Sequence, residues 1–306
     1  MKTAHAKKRA VGQPWQDKVF DAVNLVIILL IWIVIFYPLY FVVIASISNP
    51  SIVASGKIML RPEGITFLGY QNIFRNQHIW TGYRNTLLYV FFGTVVSVLV
   101  TLLAAYSLSR KDLPGRNAIM MIFVFTMYFS GGLIPQYLVV KQLHLVDNPA
   151  VIILLGAFSV YNMIIARTFF TNSIPLELQE AAFIDGCNNQ LLFFKIVLPL
   201  SKPIIAVLAL YFAVGQWNAF FNALIYLNSS EYYPLQLVLR NILLESSAFN
   251  NQTLTVGGNT GDIATQQLSS IIRYGVIVVS TIPIIAVYPF LQKYFVQGVM
   301  IGAIKG

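Results

Sequence analysis

Long apolar segments without a charged residue recur along the chain, separated by polar stretches. Residues 22–47, 85–109, 117–140, 148–166, 203–227 and 274–292 contain no Asp, Glu, Lys or Arg. A helix needs about 20 apolar residues to cross roughly 30 Å of hydrocarbon. A charge at its centre costs about 2.5–3.5 kcal/mol on insertion scales. The pattern therefore predicts an all-α membrane protein with six transmembrane helices. Interruptions are also legible: Gly131, Gly132 and Pro135 fall in the third segment, Pro38 in the first, and Pro283 and Pro289 in the sixth. Backbone groups freed there must find partners in protein or in a wet cavity, as they would in helices lining a path.

Composition agrees. Charged residues make up 10% of the 306 residues and hydrophobic ones 57%, whereas soluble domains carry about 25% charged residues. The net charge of +9 comes from basic residues in short loops rather than from a basic face interleaved with aromatics, so nucleic acid is not an expected partner. One set of loops holds Lys2, Lys7, Lys8, Arg9, Lys18, Arg110, Lys111, Arg116, Arg167, Lys195, Lys202, Lys293 and Lys305. The other holds Lys57, Arg61, Arg75, Arg84, Lys141, Arg240 and Arg273. The positive-inside rule then puts both termini in the cytoplasm. This defines a cytoplasmic tail over 1–21, a membrane domain over 22–297 and a C-terminal tail over 298–306. The loop 172–202 is cytoplasmic and the loop 228–273 faces outward. The apolar stretch after residue 21 is too long for a signal-peptide core and is expected to remain as an uncleaved first helix. One cysteine, Cys187, and three scattered histidines give no disulfide and no metal-ligand spacing.

The stretch 174–203, IPLELQEAAFIDGCNNQLLFFKIVLPLSKP, is too polar at Glu177, Glu180 and Asp185 to cross. Pro175 suits the start of a helix, with the acids near the positive end of its dipole, and Gly186 suits its stop. The loop thus predicts a short helix, a tight turn and a second helix between the fourth and fifth spans. Ala182 and Gly186 lie one turn apart, beside Ala181, and such small side chains would let another protein's backbone approach. An amphipathic helix lying on lipid would carry Lys and Arg on its polar face, and this one carries acids.

Glu180-Ala181-Ala182, then Gly186, then Ile196, Leu198 and Pro199, resemble the EAA loop of binding-protein-dependent ABC importer permeases at the spacing of that family. Three further stretches resemble its maltose-type carbohydrate branch. They are QWNAFFN over 216–222, YPFLQKYFVQGVMIGAIKG over 288–306 and, for the sub-branch handling oligosaccharides and polysaccharide fragments, FSGGLIPQYLVVKQL from Phe129. The resemblance implies a subunit without its own ATPase or cofactor. Two partner ATPases bind ATP and Mg, a second permease completes the path, and an extracellular or periplasmic binding protein delivers the sugar. It implies that Glu177, Glu180, Ala181, Ala182, Asp185, Gly186, Ile196, Leu198 and Pro199 couple to the ATPase. A bulky residue at Ala182 or Gly186 should then uncouple hydrolysis from transport. Gln216, Trp217, Asn218 and Asn222 become candidates for the sugar path, and interhelical hydrogen bonding is their alternative role. Asn250, Asn251, Gly257, Gly258 and Asn259, in the polar stretch 246–267, become candidate contacts with the binding protein.

Two other classes fit less well. A self-contained secondary transporter of a small polar solute usually shows paired repeats and mid-membrane ionisable groups, and neither is visible. A membrane enzyme lacks a visible catalytic constellation, and no phosphate-binding G-x-x-x-x-G-K-[ST] loop occurs.

Overall fold

The computed structural model describes residues 15–56, 60–255, 268–286 and 289. All regular structure among them is helical. Helices α1 (Trp15–Ser46), α2 (Pro50–Ala54) and α3 (Leu68–Arg75) lead into α4 (Gln77–Ser109). Then come α5 (Arg116–Tyr128), α6 (Leu133–Gln142), α7 (Ala150–Leu155), α8 (Val160–Ser173) and α9 (Leu176–Ile184). α10 (Asn189–Leu200) contains a π-helical turn over Phe193–Val197 and precedes α11 (Lys202–Asn218). α12 (Phe221–Tyr226), α13 (Leu235–Thr255) and α14 (Leu268–Ala286) complete the described elements.

Three helices, α1, α4 and α14, are individually long and apolar enough to cross a membrane. Two bent pairs also qualify, α5 with α6 at 111° and α10 with α11 at 80°. The third expected span is thus broken at 129–132, where Gly132 takes φ +84. The fourth is split into α7 and α8, and Ser159 starts α8 by accepting a hydrogen bond from the Asn162 N–H at 3.4 Å. The fifth stops at Asn218 and resumes in α12. The 80° bend falls between Pro199 and Pro203, neither of which can donate a backbone hydrogen bond. There the Ser201 hydroxyl donates to the Val197 carbonyl at 2.6 Å. α1 begins at Trp15, ahead of the charge-free run that starts at residue 22, and α13 runs to Thr255, with no Gly or Pro between Leu235 and Gly257 to interrupt it.

α4 is the hub. Gly82, Thr86, Tyr89, Gly93, Ser97, Thr101 and Ala105 recur at three- and four-residue spacing and are all buried, forming one stripe. Its small members admit neighbouring backbone closely, as at other helix contacts in membranes. A Cβ added at Gly82 would sit 3.1 Å from the Leu235 Cα. Its polar members complete backbone elsewhere. The Asn85 amide donates to the Glu231 and Tyr233 carbonyls at 2.7 and 3.1 Å, and the Tyr89 hydroxyl donates to the Tyr232 carbonyl at 2.8 Å. The Thr86 hydroxyl accepts from the Leu235 N–H at 2.8 Å, and the Ser97 hydroxyl donates to the Gly156 carbonyl at 3.1 Å. By contrast the burial of α1 among the described residues is confined to one end, at Ile44, Ala45 and Ser46, where Ser46 bonds to the Tyr70 hydroxyl at 2.8 Å.

Asp147 secures the turn before α7. At φ +58, its carboxylate accepts from the Asn228 N–H at 2.9 Å, the Ser229 N–H at 2.8 Å and the Ser229 hydroxyl at 2.6 Å. The Ser229 hydroxyl first, and then the two N–H groups, hold this carboxyl below the ordinary carboxylate range. A depressed carboxylate stabilises the fold above its unfolded pKa and loses that contribution as pH falls through the depressed value. Asp147→Asn is therefore expected to melt below the unaltered protein at neutral pH, with the gap closing in acid. Thermal unfolding in detergent across a pH series checks this, and a gap that does not change with pH would refute it.

Candidate functional site: a helical hairpin and a polar cavity

The segment between α8 and α11 folds as a hairpin of helices. α9 starts after Pro175 and stops in a Schellman motif: the Cys187 N–H reaches the Ala182 carbonyl at 2.9 Å and the Gly186 N–H reaches the Phe183 carbonyl at 3.0 Å. Gly186 sits at φ +79, where a side chain would be strained although space is open. The Asn188 side chain then caps α10 by accepting from the Leu191 N–H at 2.8 Å.

The two faces of α9 differ. Ala182 is 4% exposed and packs into a core with Leu102, Tyr106, Phe170 and Phe193. Its small side chain therefore packs within this chain's own core, whereas Ala181 beside it is exposed. Glu177, Glu180, Ala181 and Ile184, at i, i+3, i+4 and i+7, form an exposed stripe, and Asp185 and Gly186 are exposed at its end. Ile184 is 86% exposed and was not singled out in the sequence, although its spacing from Glu177 and Ala181 was the available signal. Ile196 and Leu198 are half-buried against the same core, and Pro199 is exposed at the bend.

The hairpin is tied to the end of α4. Arg110 caps that helix, with its guanidinium 5.2 Å from the centre of the Phe183 ring on α9. Asp112 binds it through two hydrogen bonds of 2.8 and 2.7 Å, and Nη1 donates to the Tyr106 hydroxyl at 3.3 Å. These bonds raise the pKa of Arg110, Asp112 foremost, and hold the Asp112 carboxyl below its usual range. Arg167 donates to the Leu108 carbonyl at 2.9 Å and Arg116 to the Arg110 carbonyl at 3.3 Å. Positive groups at a helix C-terminus complement its dipole.

Between α7, α8, α11 and α12 lies a cavity of about 250 Å³. Its lining includes Ser159, Asn162, Tyr211, Gln216 and Asn222. Gln216 and Asn162 are each 8% exposed, and neither side-chain amide hydrogen-bonds to another described residue. Both line the cavity, where their amides are open to a guest or to water. Gln216 is held between two glycines: an added Cβ would meet its Nε2 at 2.3 Å from Gly156 and at 2.9 Å from Gly93. Of the four path candidates, Gln216 and Asn222 reach the cavity. Trp217 turns into the core against Tyr83 and donates to the Ser280 carbonyl at 3.2 Å, and exposed Asn218 donates to the Val214 carbonyl of its own helix at 2.9 Å. Asn162, a single polar residue in an apolar run, was missed; its capping neighbour Ser159 was the signal. A second cavity, of about 520 Å³, joins the 130–132 break to Phe221 beside the other break.

Asn250 and Asn251 lie in α13, while Gly257, Gly258 and Asn259 fall outside the described residues. Among the described residues, no three His, Cys, Asp or Glu side chains come together.

No protein-family model matches the chain. It is 40% identical over 291 residues to the polygalacturonan/rhamnogalacturonan transport system permease protein YtcP of Bacillus subtilis (strain 168), an alignment spanning 95% of this chain and 100% of that one. Protein LplC of the same organism is 38% identical over 289 residues, covering 94% and 96% of the two chains. Among solved structures, a bacterial ABC transporter involved in the import of the acidic polysaccharide alginate matches with a TM-score of 0.80 and 33% identity, covering 92% of this chain and 99% of that one. The hairpin, the broken helices and these similarities converge: the chain belongs to the membrane-embedded permease subunits of sugar ABC importers. That membership sets aside the self-contained secondary transporter.

Gly156→Val is expected to push Gln216 off its seat and fill the cavity. Sugar uptake by the assembled transporter should fall while the chain is still inserted and retained with its partners. Unchanged uptake would show that the cavity lies off the path.

Proposed function

We propose that this subunit forms one half of the path for an oligosaccharide carrying uronic acids, and that α9 is the point at which partner ATPases drive it. The observation that carries the proposal is the division of α9 into two faces. One is fastened to the chain's own core through Ala182, and the other offers Glu177, Glu180, Ala181 and Ile184 to a partner. Held in this way, the helix can pass a push to the membrane helices instead of yielding to it. Moving a two-state equilibrium from 1:99 to 99:1 takes about 5.5 kcal/mol of differential binding, which a loose loop would dissipate.

In this reading six crossings place both termini in the cytoplasm, with the interrupted fourth segment counted as one crossing. A second permease completes the path, and two ATPase subunits bind ATP and Mg. A binding protein delivers sugar to the outward side, where Asn250 and Asn251 on α13 are candidate contacts. Gln216, Asn162 and Asn222 line the sugar path. The acidic substrate class is supported by the polygalacturonan and alginate systems to which the chain is similar.

Ala181→Phe and Glu180→Lys are expected to lower retention of the ATPase on the purified permease by roughly tenfold, as for central interface positions. Ala182→Phe should instead reduce the yield of folded chain. Co-purification measured beside membrane insertion separates the two effects. Full retention of the ATPase by both surface variants would exclude α9 as the docking helix.

A further inference from the structure

Among the described residues two guanidinium groups lie over aromatic rings, Arg110 over Phe183 and Arg240 over Phe220, the latter at 5.9 Å. They differ in their counter-charge. Arg110 is paired with Asp112 at 2.7 Å. Arg240 has no carboxylate within ion-pair distance and no hydrogen-bonding partner among the described residues, although it is half-buried beside buried Leu237, Val238 and Leu239. A partly desolvated cation without a counter-charge is costly, and an arriving anion relieves that cost.

Its position gives it a role. Phe220 occupies the break between α11 and α12. Its neighbours Ala219 and Asn222 line the 250 Å³ cavity, and Phe221 lines the second cavity against Ser130, Gly131 and Gly132. The unwound backbone at 130–132 is exposed in this chain, and non-helical backbone at membrane depth is tolerated only against protein or water. Arg240 therefore lies over the ring of the residue that stands between the two cavities.

The lining of the first cavity is neutral, with amides, hydroxyls and apolar groups but no charged side chain among the described residues. Such groups suit sugar hydroxyls. They do not discharge a carboxylate, whereas the planar fork of arginine matches one with two parallel hydrogen bonds. We propose that Arg240 is a specificity-determining residue that receives the carboxylate of an acidic sugar at the mouth of the path, while Gln216, Asn162 and Asn222 handle its hydroxyls. This rests on the acidic-oligosaccharide reading above.

The test is uptake of trigalacturonate by cells carrying the complete transporter with Arg240, Arg240→Lys or Arg240→Gln, each checked for equal amounts of assembled complex. The glutamine variant is expected to raise KM roughly tenfold, the loss that follows removal of a charged hydrogen-bonding partner. Its maximal rate should be kept. The lysine variant, which retains the charge but not the fork, should fall between the unaltered protein and the glutamine variant. A glutamine variant equal to the unaltered protein overturns the assignment, as does a lysine variant impaired as deeply as glutamine or a loss of maximal rate alone. If the unaltered transporter takes up no trigalacturonate, the substrate reading fails and this inference goes with it. Trigalacturonate uptake that ignores Arg240 sinks the inference alone.

Discussion

Broken backbone at membrane depth has to be completed by something, and in this fold most of that work falls to one face of α4. Its asparagine, threonine, serine and tyrosine side chains reach carbonyls and an N–H in the 229–235 turn and at the end of α7. An unpaired polar group in hydrocarbon costs several kcal/mol. The end of α7 and the turn before α13 therefore find partners on this helix. Its glycines do the complementary task, bringing α13 to near backbone contact at Gly82 and seating Gln216 at Gly93.

The same helix joins the two functional regions. Its first half holds the elements around the breaks, its middle touches Gln216, and Arg110, just beyond its end, meets α9 through Phe183. The polar cavity and the hairpin are thus attached to one rod, about 50 Å long at 1.5 Å per residue. A rod of this kind relates a displacement at one end to the geometry at the other without requiring any chain of side-chain rearrangements.

Much of this was legible in the sequence, for identifiable reasons. Charge-free runs reveal membrane helices because a charge at their centre is costly, and the stop at Gly186 was readable because few residues adopt positive φ. The motif of Glu180, Ala181, Ala182, Gly186, Ile196, Leu198 and Pro199, with three further stretches, pointed to a family by resemblance. Other features were hidden. The split between α7 and α8 contains no proline, and depends on Ser159 capping a new helix. That Ala182 faces inward while Ala181 faces outward depends on how α9 is rotated, and a nine-residue helix with apolar residues around most of its circumference does not declare its buried face. Trp217 and Gln216 are neighbours in sequence and point to different compartments, because adjacent helical positions lie about 100° apart. The extent of α13 was underestimated because polar composition suggested a loop, whereas nothing before Gly257 breaks a helix.

That the burial of α1 among the described residues is confined to one end has a mechanical consequence. Its 32 residues make an arm about 48 Å long, pivoted near Ser46. A rotation of roughly 10° at that pivot would sweep the tip at Trp15 through about 8 Å. The helix thus acts as a pointer, amplifying small shifts near Tyr70 and Tyr274. Among the described residues nothing from Trp15 to Tyr40 is buried, which leaves the direction of this arm to what surrounds it in the bilayer.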